Sequence, residues 1–275
     1  MAKGQRLDQL ILDRGLLPTR EVARTAIMDG AVLVNGQKMT KPGMSVPDSA
    51  VVELLAGFAQ PKFASRGGLK LEKALDFFNI SAENRICLDI GASTGGFTDC
   101  LLKRGAAKVY AVDVGYGQLD WALRSDARVI VRERLNARSM KAVDLYDDAA
   151  PDVSLVVMDV SFISITKILP VLANVTTNDE NLDVVCLVKP QFEAGRNAVG
   201  KGGVVKSAET HVQVLQYVCD FAASVNLQAV ALTYSPVKGP AGNIEFLAHF
   251  RRESASAEFD YDCLVKDAHE SLSSS

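Results

Sequence analysis

The chain of 275 residues has no apolar run long enough to cross a bilayer, and its start, MAKGQRLDQL, lacks the apolar core of a secretory signal. Neither a membrane span nor export is therefore expected. Its five cysteines, Cys87, Cys100, Cys186, Cys219 and Cys263, are odd in number, scattered, and form no CxxC pair. That excludes a disulfide framework and a thiolate zinc site, and it places the protein in the reducing cytoplasm with no metal. The glycine-rich stretch GASTGGFTD has no lysine after Gly96, so it is not a P-loop. A second near-match, GRNAVGKG at 195–202, has Gly202 where Ser or Thr must bind magnesium, and Pro190 and Gln191 follow its strand. The spacing from Gly91 to Gly96 is G-x-x-x-G-G and not G-x-G-x-x-G, which also removes an NAD fingerprint.

A content of 48% hydrophobic and 23% charged residues fits a soluble globular protein, long enough for one large domain and one small one. The net charge of −3 is unevenly spread: residues 1–75 hold 11 Lys and Arg against 7 Asp and Glu. A basic front before an acidic back suits a nucleic-acid-binding module attached to something else, although an excess this small also arises by chance.

Residues 6–54 read as one compact block. RLDQLILDRG sets Leu7, Leu10 and Ile11 at helical spacing and stops at Gly15. Thr19 can cap a second helix, REVARTAIMDG, ending at Gly30. AVLVNGQKM then alternates as a strand and turns at Asn35-Gly36, and SAVVELL is a further extended piece. Two short helices followed by a small basic hairpin, with LVNG and KPG in this order, resemble the S4 RNA-binding domain. That resemblance implies RNA phosphate contacts at Arg6, Arg20, Arg24, Lys38 and Lys41; singly, each also reads as a solvated surface charge. The expected organisation is a small α+β domain at 1–58, a linker at 59–65, a catalytic domain at 66–252 and a tail at 253–275. The tail is acidic and Ser-rich at its end, and partial disorder is expected there. Arg66, at the end of the linker, is a further candidate RNA contact.

From residue 86 strands and helices alternate. ICLDIGA, KVYAVDV, ARVIVRE, VSLVVMDV and DVVCLVK have the unbroken apolar character of strands covered on both faces. QAVALTYS and IEFLAHF meet across PVKGPAGN as a terminal antiparallel pair. Seven strands in this order predict a Rossmann-like α/β domain of methyltransferase type. GASTGGFTD then reads as a loop for S-adenosylmethionine, with Asp89, Gly91, Ser93, Gly95, Gly96 and Phe97 as candidate cofactor residues. Asp113 ends the next strand, 22 residues beyond Gly91, where a carboxylate can accept both ribose hydroxyls of a nucleoside. Asn136 is a further candidate.

Catalytic groups in open α/β sheets gather at the carboxyl ends of the strands. Asp159 and Lys189 end strands there, Glu245 opens an antiparallel strand returning to that rim, and Lys70 lies in the helix before the first strand. Taken singly, each has a plain alternative as a cap or surface charge. SRGGLKL, LDIGASTGGFTD, DVGYGQL, MDVSFIS, LVKPQFEAG and GPAGNIEFL, behind an S4-like block, resemble the hemolysin A (TlyA) family of ribosomal RNA 2'-O-methyltransferases, whose catalytic domain is shared with FtsJ-type enzymes. The resemblance implies a Lys-Asp-Lys-Glu tetrad at Lys70, Asp159, Lys189 and Glu245. It also implies ribosomal RNA as substrate, with cytidine as the target base; the expected partner is ribosomal RNA or ribosomal subunits, with no membrane and no obligate protein partner. One departure stands out: RERLNAR has Leu135 where the family's segment carries threonine.

A ribose hydroxyl is a poor nucleophile and must lose its proton as it attacks, a task for a lysine whose amine form is made accessible by a nearby cation or by desolvation. On this reading Lys189 accepts or steers the proton, Asp159 orients it, Lys70 binds an adjoining phosphate or ribose, and Glu245 completes the network. Rival readings are a methyltransferase for a non-RNA substrate, a catalytically dead RNA binder, and a membrane-active cytolysin. The cytolysin would need a membrane-inserting segment, and the apolar stretches here are short.

Overall fold

The computed structural model describes residues 4–17, 19–28, 30–55, 61–147, 153–176, 181–252, 255 and 257–273. The chain divides into two compact units, Met1–Ser65 and Arg66–Ser275.

In the first unit, strand β1 (Gln5–Arg6) leads into helices α1 (Leu7–Asp13) and α2 (Arg20–Met28). Strands β2 (Val32–Val34) and β3 (Gln37–Met39) form the expected hairpin, and β4 (Ser45–Val46) and β5 (Val52–Leu54) complete the unit. Asn35 and Gly36 both take positive φ, 50° and 76°, as a two-residue hairpin turn requires. Two pairings escape the sequence pattern: β1 with β4, and β5 on the free side of β2. Leu7, Leu10 and Ile11 of α1 pack with Ala23, Ala26 and Ile27 of α2 and with Val32 and Val34 in one apolar core.

The second unit opens with α3 (Gly67–Phe77), followed by β6 (Ile86–Ile90), α4 (Gly96–Lys103), β7 (Lys108–Val112), α5 (Trp121–Arg124), β8 (Val129–Arg132) and α6 (Ala142–Leu145). It continues with β9 (Val153–Met158), α7 (Leu172–Val175), β10 (Asp183–Val188), α8 (Pro190–Glu193), α9 (Ala208–Ser224), β11 (Gln228–Tyr234), β12 (Phe246–Arg251) and α10 (Tyr261–Leu272). All seven strands read from the sequence lie in one sheet, ordered β8-β7-β6-β9-β10-β12-β11. Pairing is parallel from β8 through β10, whereas β12 runs antiparallel between β10 and β11. This is the Rossmann-like methyltransferase arrangement. Every residue of β10 is buried, which is why it reads as one apolar run and not as an alternation.

The order of connection reverses between β6 and β9. This switch point leaves a crevice at the carboxyl ends of the strands, the usual place for a ligand in such sheets. Register brings the chemistry to the same rim. Ile90 pairs with Met158, so Asp159 follows directly at the crevice. Val188 pairs with Phe246, so Lys189 and Glu245 are the next opposed positions.

The expectation of disorder in the tail needs correction where the structure describes it. Residues 261–272 form α10, capped by the Asp260 carboxylate accepting from the Cys263 N–H at 2.9 Å. Val265, Ala268 and Leu272 recur at helical spacing and are buried, the first two within the second unit's core. That period is diluted by the surrounding acidic and serine residues, which dominate a reading of composition.

Candidate active site

A cleft of 530 Å³ opens at the switch point. That volume lies in the range of roughly 300–1,000 Å³ usual for small-molecule and cofactor sites. Of the residues expected to hold a cofactor, Gly91, Ser93, Asp113 and Asn136 wall this cleft. Gly91 sits at φ 88°, and a Cβ there would stand 2.6 Å from the Asp159 carbonyl oxygen, so only glycine lets β6 turn away beside β9. Asp113 ties two loops together: Oδ2 accepts from the Ser93 N–H at 2.8 Å and Oδ1 from the Gly115 N–H at 2.6 Å. A carboxylate oxygen has two lone pairs, so Asp113 keeps acceptor capacity toward the cleft.

Four of the expected cofactor residues are absent from that wall. Asp89 is 0% exposed and accepts a hydrogen bond from Thr98 Oγ1 at 2.6 Å, so it braces the β6–α4 junction from behind. Gly95, Gly96 and Phe97 are likewise buried, at the start of α4. The chain turns into α4 after Ser93, so the glycine loop, continuous in sequence, is divided between the cleft wall and the start of the helix. Burial pushes the Asp89 carboxyl up to about 7, against the Thr98 hydrogen bond and with the charges of Asp159 and Asp113 adding to the rise. A folded state that holds this proton more tightly than the unfolded chain loses stability as pH rises from about 4 to about 7. Asp89→Asn is expected to flatten that part of the curve of urea midpoint against pH; identical slopes in both proteins would contradict the assignment.

Leu135, the departure from the family pattern, also lines the cleft. Its backbone N–H donates to the Asp113 carbonyl at 3.1 Å, so the main chain anchors the segment and the side chain supplies apolar wall. Val114, Gln118 and Ile163 are wall residues that motif reading missed.

Two ion pairs stand at the rim. Lys189 Nζ lies 2.6 Å from Asp159 Oδ1 and donates to Ser161 Oγ at 2.8 Å. The aspartate contact has ion-pair distance without hydrogen-bond alignment, and the serine contact is aligned. Lys70 Nζ donates to Glu245 Oε2 at 2.6 Å, with the two residues only 7% and 1% exposed. Gln191 Nε2 donates to Glu245 Oε1 at 3.3 Å, so the segment Lys189-Pro190-Gln191 joins the two pairs. Gln191 Oε1 is buried and has no hydrogen-bond partner among the described residues. Close packing admits Glu245 only because residue 239 is glycine: a Cβ there would fall 2.5 Å from Glu245 Oε1. The four tetrad residues thus meet in two pairs, but Lys70 is too enclosed to serve as a phosphate contact from solvent.

Phe162 is 92% exposed, adopts φ 65°, and lies 5.4 Å from the Phe192 ring, centroid to centroid. A bulky residue in that conformation costs about 1–3 kcal/mol, a strain that tends to be kept where a site uses it.

The six candidate RNA contacts are partly or fully exposed. Arg6 donates from Nε and Nη2 to the fully buried Asp8, at 3.0 and 2.8 Å, and Arg20 Nε donates to the same carboxylate at 3.2 Å. Arg24 stands one turn beyond Arg20 on α2, Lys38 lies on β3, and Lys41 is in the loop before β4. Arg66 precedes α3 and belongs to the second unit.

A seven-stranded sheet with its seventh strand inserted antiparallel, a nucleoside-sized cleft at the switch point and lysine–carboxylate pairs at its rim define a Rossmann-like methyltransferase. Comparison with known proteins sharpens this. Residues 63–252 match the model of the FtsJ-like methyltransferase family, and residues 5–52 match that of the S4 domain. Hemolysin A of Brachyspira hyodysenteriae is 46% identical, over 89% of this chain and 99% of its own. The 16S/23S rRNA (cytidine-2'-O)-methyltransferase TlyA of Mycobacterium tuberculosis is 41% identical, over 94% of this chain and 93% of its own. A solved structure from Streptococcus thermophilus that carries the name hemolysin superimposes with a TM-score of 0.76 at 43% identity, covering 100% of this chain and 98% of that one. The chain belongs to the FtsJ-like methyltransferase family, in its S4-containing hemolysin A (TlyA) branch.

Proposed function

We propose that this chain transfers a methyl group from S-adenosylmethionine to the ribose 2'-hydroxyl of a cytidine in ribosomal RNA, acting in the cytoplasm on rRNA or ribosomal subunits. The observation that carries the reading is the Lys189 ammonium held against Asp159 and Ser161, two residues that also wall the cleft. Gly91, Ser93, Asp113 and Asn136 would hold the cofactor, which supplies an electrophilic methyl group on a sulfonium. The ribose hydroxyl that accepts this methyl group would give up its proton to Lys189 in its amine form. Asp159 balances the charge that Lys189 then carries. Lys70 and Glu245, buried as an ion pair and tied to the Lys189 segment through Gln191, stiffen the rim.

The exposed ring of Phe162 supports an RNA substrate, because an unstacked base can lie on it while its ribose meets Lys189. So does the S4 unit, where Asp8 holds the Arg6 and Arg20 guanidiniums side by side on partly exposed side chains. Among the described residues, no helix is long and apolar enough to cross a membrane. That gives the cytolysin reading no favourable observation.

Incubating ribosomal subunits with the protein and methyl-labelled cofactor tests the reading: label should enter RNA and not ribosomal protein. Label confined to protein would refute it. Arg20→Ala is expected to weaken binding to an rRNA fragment and to lower the slope of log affinity against log salt by about one. An unchanged slope would remove Arg20 from the phosphate contacts.

A further inference from the structure

We infer that Ser161 is a positioning residue, whose hydroxyl fixes the direction in which the Lys189 amine offers its lone pair. The inference rests on the proposed 2'-O transfer and adds to it a residue outside the tetrad.

A neutral lysine amine has four tetrahedral directions: its own Cε, two N–H bonds and one lone pair. The Lys189 amine has two acceptors within reach, Asp159 Oδ1 at 2.6 Å and Ser161 Oγ at 2.8 Å. Both belong to the short segment that leaves β9, and both face the cleft. Ser161 takes one N–H in an aligned hydrogen bond and the Asp159 charge at 2.6 Å draws the second toward itself, so a single direction is favoured for the lone pair. Asp159 alone cannot do this. One acceptor leaves the amine free to exchange its second hydrogen with the lone pair between staggered positions, of which one serves proton transfer. The aspartate contact is not aligned as a hydrogen bond, so it supplies charge more than direction. The serine contact is the aligned one. The Phe192 ring, 5.9 Å from Nζ, flanks the amine on another side.

Proton balance is unaffected by Ser161. The 2'-hydroxyl proton goes to Lys189, and the serine keeps its own, accepting from the amine before transfer and from the ammonium after it. An alternative is that the serine hydroxyl merely occupies the place of the substrate hydroxyl in the free protein and is displaced on binding. The two accounts predict opposite results for removal of the hydroxyl.

The test is steady-state kinetics of the full chain on rRNA, with ribose methylation as readout, for wild type, Ser161→Ala, Ser161→Thr, Lys189→Ala and the double variant Ser161→Ala/Lys189→Ala. Ser161→Ala should lower kcat about tenfold, the worth of one oriented hydrogen bond, with KM for RNA and cofactor affinity within about twofold. Ser161→Thr, which keeps a hydroxyl, should restore most of kcat. In the Lys189→Ala background the loss of Ser161 should cost nothing further, because it acts only through that amine. A kcat for Ser161→Ala equal to or above wild type, or a further loss in the Lys189→Ala background, would overturn the inference while leaving the proposed function standing. Absence of ribose methylation by the folded wild-type chain would remove both.

Discussion

Lys189→Met lowers kcat for RNA methylation about a thousandfold, the middle of the range that a positioned acid or base contributes, and leaves cofactor binding within about twofold of wild type. Methionine retains the length and apolar stem of lysine, so the packing beside Phe192 survives and only the proton-accepting nitrogen is lost. Asp159 is left without its cation, but its side chain is 20% exposed and water can replace the partner. Calorimetric titration with the cofactor and single-turnover transfer to rRNA separate the two effects. Turnover within tenfold of wild type would mean that the proton leaves by another route.

Glu245→Leu has the largest expected effect on stability. It leaves the Lys70 ammonium, only 9% exposed in its side chain, without the carboxylate at 2.6 Å. Removing one partner of a buried pair costs about 3–5 kcal/mol, because the remaining charge is desolvated and uncompensated. Gln191 loses its acceptor as well, in addition to the Oε1 that already has no partner among the described residues. The double change Lys70→Met/Glu245→Leu should recover most of that stability, since a buried pair replaced by apolar groups of similar volume is often neutral. It should not recover activity. Thermal denaturation of the full chain, followed at the transition of the Arg66–Ser275 unit, distinguishes the outcomes. If the double variant is as unstable as Glu245→Leu, the cost lies in packing and not in the stranded charge.

The strands of the large unit were legible because each is an apolar run bounded by turn residues, and their order followed from the rhythm of the chain. The β1–β4 pairing was not, because two strands of two residues each carry no periodic signal. Within the site, Asp159, Lys189 and Glu245 could be read as strand-end residues, which the parallel sheet necessarily brings to one rim. Asp89 reads the same way in sequence. It also sits in a strand near the glycine loop, but the pleat turns its side chain away from the cleft and toward Thr98. Ser161 and Gln191 lay in plain view within MDVSFIS and LVKPQFEAG. A hydroxyl or amide has no distinguishing pattern in sequence, so their importance shows only in distances of 2.8 and 3.3 Å to the charged groups beside them. Asp8 was hidden by being an ordinary first-turn helix acid, and only its burial beneath Arg6 and Arg20 exposes its role.

The most direct test is the chemical position of the transferred methyl group. After reaction of the purified chain with unmodified rRNA and labelled cofactor, complete digestion to nucleosides and mass spectrometry should find the label in 2'-O-methylcytidine. Label on a base carbon or nitrogen, or none at all from a folded chain that binds the cofactor, would contradict the account.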